Sequence, residues 1–485
     1  MTSPTGSSAE ARPTRAERPR RGDQLELVVE SLAHGGAGVA RKDRYVVFVE
    51  GAFPGERVRA ELFRAKRDYA NARAVEILEP SPDRVAIRCD HEGGDCPGSP
   101  WQPLRYERQL EYKQELVEDA LTRIGGFEGF EMEPIVPTVD PWRYRNKMEY
   151  SFGQSPRGLA LGFNARGRWD TVNDARDCML ASERSNAVRN FVRDWCAAQG
   201  LSAYDRRAQE GLLRNLVVRE GRNTGDLQVR LVSSGGGGKA AEGGAAPRGD
   251  FDVDALAEEL RIRFAEASFL WTRIEGPAGS THGGVTEVVT GEERFSERIG
   301  DLEFSISPDA FFQTNTEMAE RLYGLAAEYA ALAGTERVYD LFCGIGTLSL
   351  TLALRAGEVW AVELSEEAVA DAIRNAELNE IENAHFFAGD VGDALRPLAE
   401  QAPRPDVVVV DPPRAGLSKR MVRRLLEARP RRIVYVSCNP TTLAPNAAQM
   451  AEDGYRLVKV RAVDMFPHTP HIECVALIER EDPGA

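Results

Sequence analysis

"RVYDLFCGIGTLSL", residues 337–350, decides the fold of the C-terminal part of this chain. An apolar run ending at Leu341 meets Gly344 and Gly346, and an apolar helical pattern follows. That order predicts a strand, a glycine turn and a helix, with the glycines letting backbone approach a ligand at the helix N-terminus. Working outward, four more apolar runs end in small or polar residues: "EVWAVEL" (358–364), "AHFFAGD" (384–390), "DVVVVDPPRAG" (406–416) and "RIVYVSCNP" (432–440). Helical stretches such as "SEEAVADAIRNAELN" separate them. Alternation of this kind predicts a parallel, doubly wound sheet whose ligand lies at the carboxyl ends of the strands.

Those strand ends carry the chemistry. Glu363 ends the second run, where a carboxylate can accept both hydroxyls of a ribose. Asp390 ends the third, placed to face an adenine amino group. A full G-x-G-x-x-G is absent because position 349 is Ser, which favours a mononucleoside cofactor such as S-adenosylmethionine over NAD. Asp411 emerges beside Pro412 and Pro413, which fix the chain and withdraw donors. Arg414 stands where amino-group methyltransferases place an aromatic, which counts against N-methylation. Cys438 ends the fifth run, on the same rim as Gly344, Glu363 and Asp411. A thiolate beside a methyl donor suits methylation at a pyrimidine C5, a carbon made nucleophilic only by attack at C6. A base must then remove the C5 proton; "HTPHIECVALIER" (468–480) offers Glu473 first and His471 second.

The blocks "SPDAFFQTN" (307–315), "DLFCGIGTLSL" (340–350), "DPPRAGL" (411–417), "YVSCNPTTLAPN" (435–446) and "HIECVALIER" (471–480) are similar, in content and order, to those of the TRAM-domain RNA 5-methyluridine methyltransferases. The resemblance runs from residue 24 to 480. It implies that Cys438 is the nucleophile and Glu473 the proton acceptor. It also implies S-adenosylmethionine contacts from Gln313, Phe342, Glu363, Asp390 and Asp411, with Thr347 where some members carry a polar contact.

The expected organisation is multidomain. A disordered arm (1–23) precedes an OB-like β-barrel, the TRAM module (24–79), whose "FRAKRDYANAR" loop suits a phosphate backbone. An α+β central RNA-binding region (80–300) holds a flexible insertion at 233–250, and a Rossmann-like class I methyltransferase domain spans 301–485. Structured RNA, ribosomal ahead of transfer, is the expected partner of a monomer. Cytosine-C5 methylation, or RNA binding without catalysis, are the rival readings.

Many members also hold an iron–sulfur cluster on four cysteines. Here Cys89, Cys96 and Cys178 match, but Ser99 stands in the remaining place. Three alternatives follow: Ser99 as a ligand, a cluster with another non-cysteine ligand, or a remnant loop holding none. Cys196 and Cys343 read as buried structural thiols. Seven cysteines without regular spacing argue against a disulfide framework and for a reducing cytoplasm. The net charge of −15 argues against indiscriminate polyanion binding, though local basic patches can coexist with it. No apolar run approaches the ~20 residues that span a bilayer.

Overall fold

The computed structural model describes residues 19–89, 97–235, 251–276, 281–395, 402 and 404–481. Cys96, most of the 1–23 arm and most of the 233–250 insertion lie outside the described residues. The chain divides into two compact units. Met1–Ala86, Pro100–Leu116 and His468–Pro470 make the first; Ile87–Ser99, Val117–Pro467 and His471–Ala485 make the second.

In the first unit, β1 (Gln24–Leu32), β2 (Gly38–Lys42), β3 (Tyr45–Glu50), β4 (Arg57–Ala65) and β5 (Tyr69–Glu79) close into a barrel in the order β1-β2-β3-β5-β4. Alternation drives it: Leu25, Leu27, Val29, Val47, Val49, Val58 and Leu62 point inward and fill the barrel. The amphipathic pattern that begins at Tyr106 forms α1 (Tyr106–Asp119) and then one wide turn, Ala120–Ile124.

The second unit holds two large sheets. β7 (Lys147–Ser155), β8 (Gly158–Ala165), β9 (Arg168–Asp174), β10 (Leu213–Glu220), β11 (Leu227–Ser234), β12 (Ala267–Ile274) and β13 (Val285–Thr290) order as β13-β12-β11-β10-β7-β8-β9. One face is apolar: Tyr150, Leu216, Val218 and Val229 pack beneath α2 (Glu183–Ala198) and α3 (Val253–Arg263). The other face presents buried Arg219 and Arg230. Buried guanidinium groups need partners, and both find them in the segment that leads to Gln313. Arg219 donates to the Ser307 and Ala310 carbonyls at 3.2 and 2.8 Å, and Arg230 pairs with Asp309. Asn146 Nδ2 donates to the Gln313 carbonyl at 2.9 Å. The central sheet thus holds the loop that brings Gln313 to the rim.

A short hairpin, β14 (Phe295–Ile299) and β15 (Leu302–Ile306), leads into α4 (Thr316–Ala330). The second sheet contains β16 (Arg337–Leu341), β17 (Glu358–Glu363), β18 (Ala384–Ala388), β19 (Val407–Val410), β20 (Arg432–Ser437), β21 (Tyr455–Val463) and β22 (Glu473–Arg480). Its order is β18-β17-β16-β19-β20-β22-β21, with β6 (Glu131–Val136) added at the edge. The first five strands are parallel and β22 is antiparallel to β20. Runs such as Val407–Val410, buried throughout, are what a sheet covered on both faces requires. α5 (Thr347–Ala353) and α6 (Glu366–Leu378) form the crossovers of the doubly wound half. Ser365 caps α6 by accepting from Ala368 N, and Glu366 and Glu367 favour its positive end.

Candidate active site

The thiol sits at a joint made by three local rules. β20 ends at Ser437, Asn439 caps the helix Pro440–Glu452 by accepting from Thr441 N, and Pro440 occupies the first helical turn. Cys438 is the one residue between strand and cap. Asn439 Nδ2 also donates to the Arg414 carbonyl at 3.0 Å, tying the joint to the loop after β19. That loop is pinned from below, where Asn446 accepts from Leu417 N and donates to Leu417 O. Gly416 has φ +71, and a Cβ there would meet Asn446 Oδ1 at 2.8 Å, so only glycine fits.

Strand pairing brings up the carboxylate. β20 and β22 pair Ser437 with Cys474. Cys438 and Glu473 are the next residues beyond that pair, and they lie close enough for the Glu473 charge to act on the thiol. Glu473 is only 6% exposed. His471, the second candidate base, is exposed and spends Nδ1 on Arg414 Nη2 at 2.7 Å, while its ring packs edge-on against Phe466. Geometry sets Glu473 beside the thiol, not His471.

The electrostatics are those of too many acids in too little water. Burial raises Cys438 to about 11, Glu473 and Asp411 add to the rise, and Arg414 opposes it. A thiol beside a helix N-terminus is usually lowered; here desolvation wins. Burial and then Asp411 push Glu473 well above the ordinary carboxylate range, against Arg414. Burial and then Asp340 raise Asp411 to about 7, and burial takes Asp340 itself to about 7. Arg414 is therefore the cation that favours both the thiolate and the Glu473 carboxylate.

Asp411 supplies a stability prediction. Its folded value of about 7 lies above the unfolded ~3.9. The proton is held more tightly in the folded state, so this stabilisation is complete below pH ~4 and lost as pH rises through ~7. Asp411→Asn removes the titration. Urea unfolding of the cofactor-free protein should show a gain of roughly 2 kcal/mol at pH 8 that shrinks toward pH 4, half of what three units would give, because the group is partly exposed and coupled. No gain at pH 8 would show the carboxylate is not strained.

The rim beyond Asp411 is built to hold a ligand. Phe342 has φ +72, a strained conformation for an aromatic residue, and Gly344 (φ +55) and Gly346 (φ +86) follow it into α5. Glu363 accepts from Gly344 N at 3.1 Å through one oxygen and from Ser365 N at 3.0 Å through the other. Each oxygen keeps a second lone pair for a ribose hydroxyl. Asp340, wholly buried, takes the Ser349 hydroxyl on Oδ2, while Oδ1 has no partner in the described structure. Asp390 is exposed after β18 and accepts from Gly392 N at 2.9 Å, fixing its turn. Gln313 and Thr347, both buried, flank the Tyr323 hydroxyl. This donor set and glycine cradle fit S-adenosylmethionine.

Residue-by-residue reading missed Tyr323, Asp340 and Phe311. Phe311, two residues before Gln313, is 73% exposed, whereas Phe312 is 9% exposed in the core. "AFFQ" carries no mark of which ring turns out.

The cluster residues converge only in part. Cys89, Ser99 and Cys178 line one cavity of about 30 Å³ with Arg145 and Met148, about one water's share of volume. Cys96 lies outside the described residues, and among the described residues no group of three His, Cys, Asp or Glu side chains is placed to hold a metal. Three cysteines and a serine do not make the usual four-thiolate set, and no step below uses a cluster. Cys196 and Cys343 are buried, and burial raises the Cys196 thiol to about 12. No described helix is long and apolar enough to cross a membrane.

Residues 292–481 match the family model of tRNA (uracil-5-)-methyltransferases, and residues 18–75 match the TRAM domain. A protein of Halalkalibacterium halodurans described as an uncharacterized RNA methyltransferase is 38% identical, over 94% of this chain and 97% of its own length. One from Porphyromonas gingivalis, described likewise, is 39% identical over 94% and 99%. The Pyrococcus abyssi tRNA (uracil-54, C5)-methyltransferase, solved in complex with S-adenosyl-L-homocysteine, superposes with a TM-score of 0.73 at 29% identity, covering 93% of this chain and 99% of that one.

Proposed function

Because the chain belongs to the RNA (uracil-5-)-methyltransferase family and carries its TRAM domain, we propose that it methylates C5 of a uridine in structured RNA through a transient bond between Cys438 Sγ and C6. Cys438 within reach of the charges of Glu473, Asp411 and Arg414 is the observation that carries the reading. Bound S-adenosylmethionine supplies an electrophilic methyl group on a sulfonium cation. Gln313, Phe342, Glu363, Asp390 and Asp411 would hold it.

The thiol gives up its proton to water, favoured by Arg414, and Sγ adds to C6. The C5=C6 pair moves toward O4, and the resulting enolate takes the methyl group at C5, the electrons of the broken S–C bond staying on sulfur as a neutral thioether. Glu473 then accepts the C5 proton; the C5–H pair restores C5=C6, and the C6–S bond breaks to return the thiolate. One proton is released per methyl transferred. No redox change occurs.

Phe311 serves as a stacking surface for an unpaired base, since an exposed aromatic on the loop of Gln313 offers a π-face to any base. Stacking is worth ~1–3 kcal/mol per base, so Phe311→Ala should lower kcat/KM for RNA by roughly ten- to hundredfold with little change in Tm. Unchanged kinetics would remove Phe311 from the site.

Nucleoside mass spectrometry after incubation with labelled S-adenosylmethionine tests the function, with unmodified ribosomal and transfer RNA as separate substrates. Ribosomal RNA is the expected target; the similarity to the Pyrococcus abyssi tRNA (uracil-54, C5)-methyltransferase makes the second arm necessary. New 5-methyluridine in either supports the reaction. 5-Methylcytidine would move the enzyme to the rival class, and no product with RNA still bound would leave a binding protein.

A further inference from the structure

Outside the site just described, a cavity of about 330 Å³ lies against the central sheet. It lies within the range of small-ligand pockets, and its mixed lining includes the polar side chains of Ser151, Asn164, Tyr204, Arg206, Arg214 and Asn215. The Arg214 guanidinium lies over the Tyr204 ring, 4.0 Å from its centroid. Arg214 is largely buried, and Arg206 is close enough to repel it. Three guanidinium groups, those of Arg206, Arg207 and Arg214, line this one cavity. Two acids, Asp170 and Asp205, line the same cavity and are otherwise engaged. Asp205 accepts from the backbone of Arg207 and Ala208 at 2.7 and 3.0 Å, and Asp170 lies 3.7 Å from Arg207.

The loop that carries these groups is preformed. Tyr204 N donates to Leu213 O and Asp205 N to Glu210 O, both at 2.7 Å. Gly211 turns the chain at φ +97, where a Cβ would meet Ala203 O at 2.2 Å. Such a pocket binds without first ordering itself.

Position supplies the link to the reaction. β7 and β10 pair Ser151 with Asn215 and, four residues away, Lys147 with Arg219. Residues four apart on a strand share a face, roughly 13 Å apart. Arg219 holds the loop of Gln313. The pocket therefore opens on the sheet face that supports the candidate active site, opposite α2 and α3.

On the RNA-methyltransferase reading, we infer that this pocket receives one unpaired nucleotide of the RNA substrate near the methylated uridine. Arg206 meets the phosphate, the Arg214–Tyr204 stack meets the base plane, and Asn164 and Asn215 read its edge. Guanidinium planes and amides are the groups that recognise splayed-out bases.

The test uses the full-length protein, with filter binding of unmodified ribosomal and transfer RNA over a salt series. Arg206→Glu and Asn164→Ala are compared with wild type, and calorimetric binding of S-adenosylmethionine confirms an intact fold. Arg206→Glu should weaken RNA binding about tenfold and reduce the salt slope by about one. KM for RNA should rise with kcat unchanged. Ultraviolet cross-linking of wild type should place a nucleotide on the peptide containing Tyr204. Variants that bind and methylate as wild type, or a cross-link confined elsewhere, overturn the pocket alone. A wild type that binds no RNA overturns the function beneath it. AMP or UMP titrated alone supplies the remaining arm: saturable binding lost in Arg206→Glu, with RNA affinity intact, would assign the pocket to a free nucleotide instead.

Discussion

Cys438→Ala is expected to lower 5-methyluridine formation by on the order of 10⁴-fold or more, with RNA and S-adenosylmethionine still bound. The reason lies in the substrate: C5 of a uridine is not nucleophilic until C6 has been attacked. Nothing else at the rim replaces that attack. Asp411 and Glu473 are both raised carboxyls, and Arg414 has no lone pair to offer. The thiol is half-buried at a joint whose geometry comes from Asn439 and Pro440, so its loss should change stability by no more than about 1 kcal/mol. Product formation is read by nucleoside mass spectrometry, and cofactor affinity by calorimetry. Residual activity within tenfold of wild type would sink the covalent route.

Glu473→Gln should stop the cycle later. The amide keeps the shape beside Cys438 but cannot accept the C5 proton, so methylated adduct forms and does not resolve. Loss of a positioned base costs ~10²–10⁴ in turnover. The distinguishing result is accumulation of a protein–RNA species that survives denaturant and is absent in the Cys438→Ala/Glu473→Gln double variant. Slow turnover without such a species would move Glu473 from proton acceptor to a role before the attack. The two substitutions therefore separate the first covalent step from the last.

Much of the doubly wound half was legible because its information is local. β16 to β20 are apolar runs, each closed by the residue that reaches the rim, and a fully buried parallel strand has no other way to be written. Cys438 could be placed at the end of its strand because it follows "RIVYVS" and precedes a helix cap. The barrel was legible from alternation and its turns. By contrast, β6 completes the edge of the methyltransferase sheet by pairing with β21, more than three hundred residues downstream. "EMEPIV" gives no local sign of that partner. Arg219 and Arg230 interrupt otherwise apolar strands, a signal of buried charge, but not of what they hold.

The order of residues along the chain determined which groups are available: a thiol after one strand, acids after others, glycines where backbone must pass close to a ligand. Periods of 2 and 3.6 residues are short-range properties, and they delivered the strands, the helices and the rim. Tertiary structure alone decided which of those groups meet and in what charge state. Antiparallel pairing of β20 with β22 brought Glu473 to the end of the strand that carries Cys438, while His471 pairs with Arg414. Packing turned Phe311 out and Phe312 in. Desolvation, which depends on every layer around the site, raised the thiol and its neighbouring acids together. Burial is a sum over the whole fold, and no local pattern contains it.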